Sequence, residues 1–295
     1  NNIVASYIQA AKAITLEGAT NINMLIVPGI REKIITNKVS DLVKENSKII
    51  YLMDIPAFDV DNNRLYIDNS TIPSVEKTID KFQSRGIDNN YVATYFPDVF
   101  LNSDQFAQRV KVPASVSAMQ ALSYNDKVAY PWFAPAGFAR GVLDNVVTTA
   151  LRLTSADRDD LYEARINPIA NFAIGKIVIF GQKTLQADKS ALDRVNVRRM
   201  VLKVKRIVSN IAKDFLFEQN TPQTRAKFVA RVTPQLGLIQ SQQGIDKFRV
   251  VMDETNNTSL DEEQNRLNGS IVLVPSRAIE FIAIDFIVTN AGVSF

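Results

Sequence analysis

Charged residues are concentrated at a few places in this chain, at spacings that could do chemistry. Asp157, Asp159, Asp160 and Glu163 lie close together, and Asp261, Glu262 and Glu263 form a second acidic run. A hard cation takes about six or more oxygen ligands in a closed loop, and either run could supply some of them. Acidic residues opening a helix are the plainer account, because a carboxylate is favoured beside the unpaired N–H groups of a first turn. No metal is therefore assigned. The opposite sign is gathered in Arg198, Arg199, Lys203, Lys205, Arg206 and Lys213, with Asp193 and Asp214 as the nearby acids. Such a run suits a solvated face, a nucleic-acid backbone or the acidic patch of a neighbouring subunit. The nucleic-acid reading lacks interleaved exposed aromatics.

Other chemistries lack their parts. With no histidine, the usual general base, the usual imidazole metal ligand and any Ser-His-Asp relay are absent. With no cysteine, there is no disulfide, thiolate site or cysteine nucleophile. Neither a G-x-G-x-x-G nor a G-x-x-x-x-G-K-[ST] phosphate loop occurs; Gly175 and Lys176 stand without the upstream glycine. The net charge of +3 is small for 295 residues, so any basic function must be local. No apolar run reaches the ~20 residues that span a bilayer, and no membrane insertion is expected. The chain opens on Asn1 with no basic-then-apolar leader, so it reads as a fragment of a longer protein. The Asn-x-Ser/Thr patterns at Asn69, Asn257 and Asn268 read as turns.

These residues need elements to position them. Val197, Met200, Val201, Val204, Ile207, Val208, Ile211 and Phe215 recur at three- and four-residue spacing, which predicts one long helix with a buried stripe and the basic residues opposite. Upstream, residues 1–20 read as an N-terminal arm or helix. Residues 21–166 alternate short strands (Met24–Val27, Lys48–Met53, Tyr91–Phe96) with helices (Ile34–Lys44, a helix opening at Pro73 with Ser70 or Thr71 as cap, Pro113–Ser123). That alternation predicts an α/β domain around a largely parallel sheet. A cap, an acidic turn and a short helix follow in TSADRDDLYEARINPI, with Pro168 as its stop.

Residues 167–295 read as a separate α+β unit, with Ile174–Phe180, Phe248–Met252, Ser270–Val274 and Ala278–Val288 as strands and a further helix opening at Thr221 and Pro222. In the last strand Ile282, Ile284, Phe286 and Val288 share one face, while Phe281, Ala283 and Ile287 share the other with Asp285. A strand apolar on both faces is either central in its own sheet or completes another by edge pairing.

Several of these segments carry a resemblance. LYEARINPI, IVIFGQKTL and NVRR at the head of the long helix, with YPWFAPAGFARG before them and DETNNT and VPSRAIEFIAIDFIV after, resemble, in that order, the C-terminal half of contractile tail sheath proteins. The resemblance runs from Tyr130 almost to the end. It implies a subtilisin-like α/β domain without catalytic residues, followed by a sheath α+β domain. It also implies a structural subunit of a contractile phage tail, needing no cofactor. Such a subunit assembles with its own copies as a helical tube around the tail tube protein, meets baseplate and tail terminator proteins, is built in the host cytoplasm and resides in the virion. A phage-derived injection sheath is the related alternative, and an α/β enzyme of unrecognised type is the rival class. In the sheath reading, Arg198, Arg199, Lys203, Lys205 and Arg206 would meet acids such as Asp157, Asp159, Asp160 and Glu163 across a subunit contact, with Ile282, Ile284 and Phe286 in a strand added to a neighbour. Arg199 could instead be a buried arginine paired inside its own domain. A start at Asn1 suggests that the partner arm at the other end is missing.

Overall fold

The computed structural model describes residues 2–16, 21–103 and 108–280. Its centre is a five-stranded sheet in the order β1 (Met24–Ile26), β2 (Ile50–Met53), β5 (Val92–Phe96), β9 (Ile166–Asn171), β10 (Ile177–Ile179). The first four run parallel and β10 is antiparallel to β9. Every residue of β2 and β5 is buried, which fits their unbroken apolar character: a parallel strand covered on both faces has no polar side to show. Helices α1 (Asn2–Thr15), α2 (Lys33–Asn46), α3 (Val75–Gln83), α4 (Ala114–Val128) and α6 (Ser155–Glu163) surround this sheet, with the short α5 (Gly137–Arg140) between the last two. The hairpin of β3 (Ala57–Phe58) with β4 (Arg64–Leu65), and an antiparallel sheet in the order β7 (Gln108–Val112), β6 (Val99–Ser103), β8 (Val146–Thr149), complete the first body.

A second, smaller core lies between α7 (Val195–Lys213), α8 (Pro222–Ser241) and the hairpin of β11 (Ile245–Val251) with β12 (Ser270–Pro275); α9 (Ser259–Glu263) lies in the connection between those strands. Trp132, from the segment after α4, is buried in this core together with Phe228. Its indole N–H donates to the Gln242 carbonyl at 2.8 Å.

Several sequence expectations need correction. The cap of α3 is Ser74, whose hydroxyl accepts the Lys77 N–H at 3.3 Å, so Pro73 precedes the helix and neither Ser70 nor Thr71 caps it. Helix α6 stops at Glu163, and Pro168 lies inside β9, where its carbonyl accepts the Phe180 N–H at 2.8 Å. A domain boundary at 166/167 would cut β9 near its start. Because β9 pairs with β5, the first sheet continues through β10, and apart from Trp132 the buried residues of the second core come from α7 onward. The long helix ends at Lys213, and Phe215 follows it in a turn. Of the expected strand Ala278–Val288, residues 281–288 lie outside the described residues, and 278–280 are not in a strand.

Candidate functional site

Helix α7 belongs to both cores. Val195 and Leu202 pack into the first, while Val197, Met200 and Val204 pack into the second. Both sets follow helical spacing, on two faces of one rod. The basic residues follow the face turned to the first body. Arg198 is 2% exposed; its guanidinium donates to the Asn90 carboxamide and lies 4.1 Å from the centre of the Tyr91 ring. Lys205 reaches the Tyr91 hydroxyl at 3.1 Å. Arg206 donates to the Ile22 carbonyl at 2.6 Å and to the Lys48 carbonyl at 3.3 Å. Arg199, 4% exposed, pairs with Asp126 of α4.

Within the chain this face is largely engaged, and mostly by groups other than acids. Of Arg198, Arg199, Lys203, Lys205 and Arg206, Arg199 alone meets a carboxylate among the described residues. The others that are engaged meet carbonyls, a carboxamide and an aromatic ring. Arg206 presents its N–H donors to the backbone carbonyls of Ile22 and Lys48, just ahead of β1 and β2. Burial lowers the pKa of Arg198, although Tyr91 opposes the shift, and burial also lowers that of Arg206. Lys203 is the one of the five that is exposed.

The acidic positions divide as well. Asp157 closes a capping box at the start of α6: its carboxylate accepts the Thr154 N–H at 2.8 Å, and its own N–H donates to the Thr154 hydroxyl at 3.1 Å. Asp261 makes the same exchange with Thr258. Asp159, Asp160 and Glu163 lie exposed on α6. Ile282, Ile284 and Phe286 lie outside the described residues.

A carboxylate that sequence reasoning did not single out is the most heavily bonded one near the end of the described chain. Glu280 receives the Arg194 Nε–H at 2.7 Å and the Gln182 amide at 3.1 Å on one oxygen. On the other it receives the Arg194 Nη2–H at 2.9 Å and the Tyr162 hydroxyl. Arg194 is itself held by Asp193 at 3.0 Å and donates to the Tyr162 oxygen at 3.0 Å. Lys183 sits 3.6 Å from the centre of the Tyr162 ring. Burial pushes the Glu280 carboxyl up, but the hydrogen bonds from Arg194 and Tyr162 outweigh it and hold the group below its ordinary value. Beside this cluster runs an open polar groove of about 790 Å³. One sequence signal could have found Glu280: it is a lone acid in the apolar run AIEFIAI.

The carboxyl ends of the parallel strands, where α/β sheets commonly bind ligands, are closed. Asp54, just beyond β2, accepts the Gly29 N–H at 2.9 Å, the Ser115 N–H at 3.0 Å and the Ser115 hydroxyl at 2.8 Å. Asp98, just beyond β5, is paired with Arg31 through both oxygens at 2.8 Å. The cavity between them measures about 10 Å³, room for no more than one water. Burial raises the Asp54 pKa, with the Gly29 N–H and then Arg31 opposing it.

The motifs that carry the resemblance are mostly internal fastenings. Asn167 of LYEARINPI donates to the Thr94 and Lys183 carbonyls at 3.0 and 2.8 Å and accepts the Lys183 N–H at 2.6 Å, tying β9 to the GQKTL segment. Asn257 of DETNNT bonds the Asn268 backbone in both directions, at 2.8 and 2.7 Å.

No family model matches the chain. The chain is 35% identical over 238 residues to the tail sheath protein of Vibrio phage KVP40, covering 80% of this chain and 33% of that protein. It is 33% identical over 184 residues to the tail sheath protein of Enterobacteria phage T4, covering 62% of this chain and 28% of that protein. The chain thus spans about a third of the length of these relatives. Among solved structures, the sheath complex of an extracellular contractile injection system in its contracted state has a TM-score of 0.74 at 20% identity, over 97% of this chain and 79% of that one. The contracted helical sheath of the anti-feeding prophage has a TM-score of 0.70 at 20% identity, over 96% and 73%. A crystallised sheath tail protein from Desulfitobacterium hafniense has a TM-score of 0.58 at 11% identity, over 93% and 60%.

Proposed function

We propose, for a chain that belongs to the contractile tail sheath family, that its work is mechanical: it is the body of a subunit that assembles with its own copies into a helical sheath. The observation that carries this reading is the 35% identity running through 80% of the chain. In the phage setting, the sheath encloses an inner tail tube, is assembled in the host cytoplasm, joins baseplate and terminator proteins and shortens to drive the tube through the host envelope. Two packings of rigid bodies that differ in free energy supply the stroke, and no cofactor is consumed. The internally bonded carboxylates at the carboxyl edge of the sheet favour this over the enzyme reading. A scaffold of subtilisin-like ancestry is supported by the parallel sheet with its surrounding helices and by the missing histidine.

Copies meet in two ways in this proposal. The exposed Lys203 faces acids of a neighbour, for which Asp159, Asp160 and Glu163 are the exposed candidates. The segment bearing Ile282, Ile284 and Phe286 adds a strand to a neighbouring sheet. Electron microscopy of the full-length protein tests the reading: regular tubes are expected, and a full-length chain that stays monomeric at every salt concentration overturns it. Lys203→Glu should reduce tube yield and Asp160→Lys in the same chain should restore part of it. Unchanged tubes with Lys203→Glu would remove the charged contact while leaving the sheath role intact.

A further inference from the structure

We propose that Glu280 is an anchor: its carboxylate fastens the crossing that follows β12 to the first body, and load carried along that crossing enters the body through Arg194, Tyr162 and Gln182. The mechanical half rests on the proposed sheath role, in which copies are linked and pull on one another. The anchor itself stands on geometry.

After β12 ends at Pro275, the chain crosses back from the second core toward the first body. On the way Arg277 is exposed and Ile279 is 82% exposed, so little apolar burial holds the crossing. Ser276 N–H reaches the Gly244 carbonyl at a long 3.3 Å. Then Glu280 meets four donors from three residues: Arg194 twice, Gln182 and Tyr162. Glu280 as a whole residue is exposed, but its side chain is only 20% exposed, whereas that of Glu76 in the surface pair with Lys77 is 76% exposed. A paired arginine fork fixes direction as well as distance, which a single ammonium contact does not.

The residues that hold Glu280 come from separate parts of the first body. Tyr162 is in α6, Gln182 follows β10, and Arg194 is the residue at which α7 begins. A force applied at Glu280 is therefore divided between the five-stranded sheet and the long helix. Without this clamp it would fall on the two-stranded β11–β12 hairpin, where strands can be peeled one bond at a time.

The test uses the full-length protein with Glu280→Gln and Glu280→Ala, and Arg277→Ala as an exposed control. Hydrogen exchange of the Ser276 amide, which donates to the Gly244 carbonyl within the crossing, reads the anchor in unassembled subunits. It should rise about tenfold or more in both Glu280 variants, as expected when charge-assisted bonds are lost, and stay unchanged in the control. Circular dichroism and an unchanged melting curve for Glu280→Gln establish that the body is folded. Unchanged exchange overturns the anchor whatever the tubes do. Faster exchange with tubes as numerous and as resistant to shear as those of the unaltered protein overturns the mechanical half alone. If the unaltered full-length protein forms no tubes, the sheath reading fails and the mechanical half falls with it, while the exchange result still decides the anchor.

Discussion

The indole of Trp132 lies directly over Gly244, so near that a methyl group there would stand 2.9 Å from the ring and 2.7 Å from the Ile239 side chain. Trp132 comes from the crossing after α4 and Gly244 from the turn before β11, so the contact seals the second core against the first body. Gly244→Ala should cost about 1–3 kcal/mol through overpacking. Urea unfolding would show the midpoint falling with an unchanged slope. A neutral result would mean that the turn yields freely.

Arg199 and Asp126 make a second such joint. Arg199→Ala leaves the Asp126 carboxylate, 25% exposed, without its partner and should cost about 3 kcal/mol. Arg199→Met with Asp126→Leu should recover much of that loss, because a buried ion pair is often replaceable by apolar volume. Equal losses in the single and double variants, measured by chemical denaturation, would show that some other contact of Arg199 matters more.

The anchor at Glu280 has a pH signature. A carboxyl held below its ordinary value stabilises the closed arrangement fully above that value, and the contribution is lost as pH falls through the depressed one. The groups facing it are Arg194, Tyr162 and Gln182, with Asp193 and Lys183 close behind. Exchange of the Ser276 amide, corrected for its intrinsic pH dependence, should therefore stay flat near neutrality and rise below about pH 4, the ordinary range of a carboxyl. Glu280→Gln should abolish the rise. A rise beginning near pH 6 would indicate a raised carboxyl and contradict the clamp.

Leu202 tests the sharing of α7. Leu202→Ala should cost about 2–5 kcal/mol for the cavity it leaves. Thermal unfolding should nevertheless remain a single transition. Two separated transitions would mean that the cores melt independently.

The alternating strands and helices of the first body were legible because buried parallel strands are continuous apolar runs, as in Ile50–Met53. The stripe of α7 was legible from its period. Where its charges go was not, because periodicity gives a face but not its neighbour. Arg206 reaches carbonyls of Ile22 and Lys48, residues far away in sequence. Asn167 and Glu280 were hidden for the same reason: a single polar residue in an apolar run looks like a flaw until its partners, Thr94 and Lys183 or Arg194 and Tyr162, are brought beside it. Pro168 reads as a helix stop in the sequence, whereas β9 accommodates it within the sheet.

Helix α7 runs about 28 Å at 1.5 Å per residue and is gripped along one side by each core. In engineering terms it is a keel common to two hulls. A shaft embedded in both ties them into one block. In the proposed sheath, such a block would be tilted, slid or rotated rather than folded, and the change in outline of the assembly would fall on the couplings between blocks.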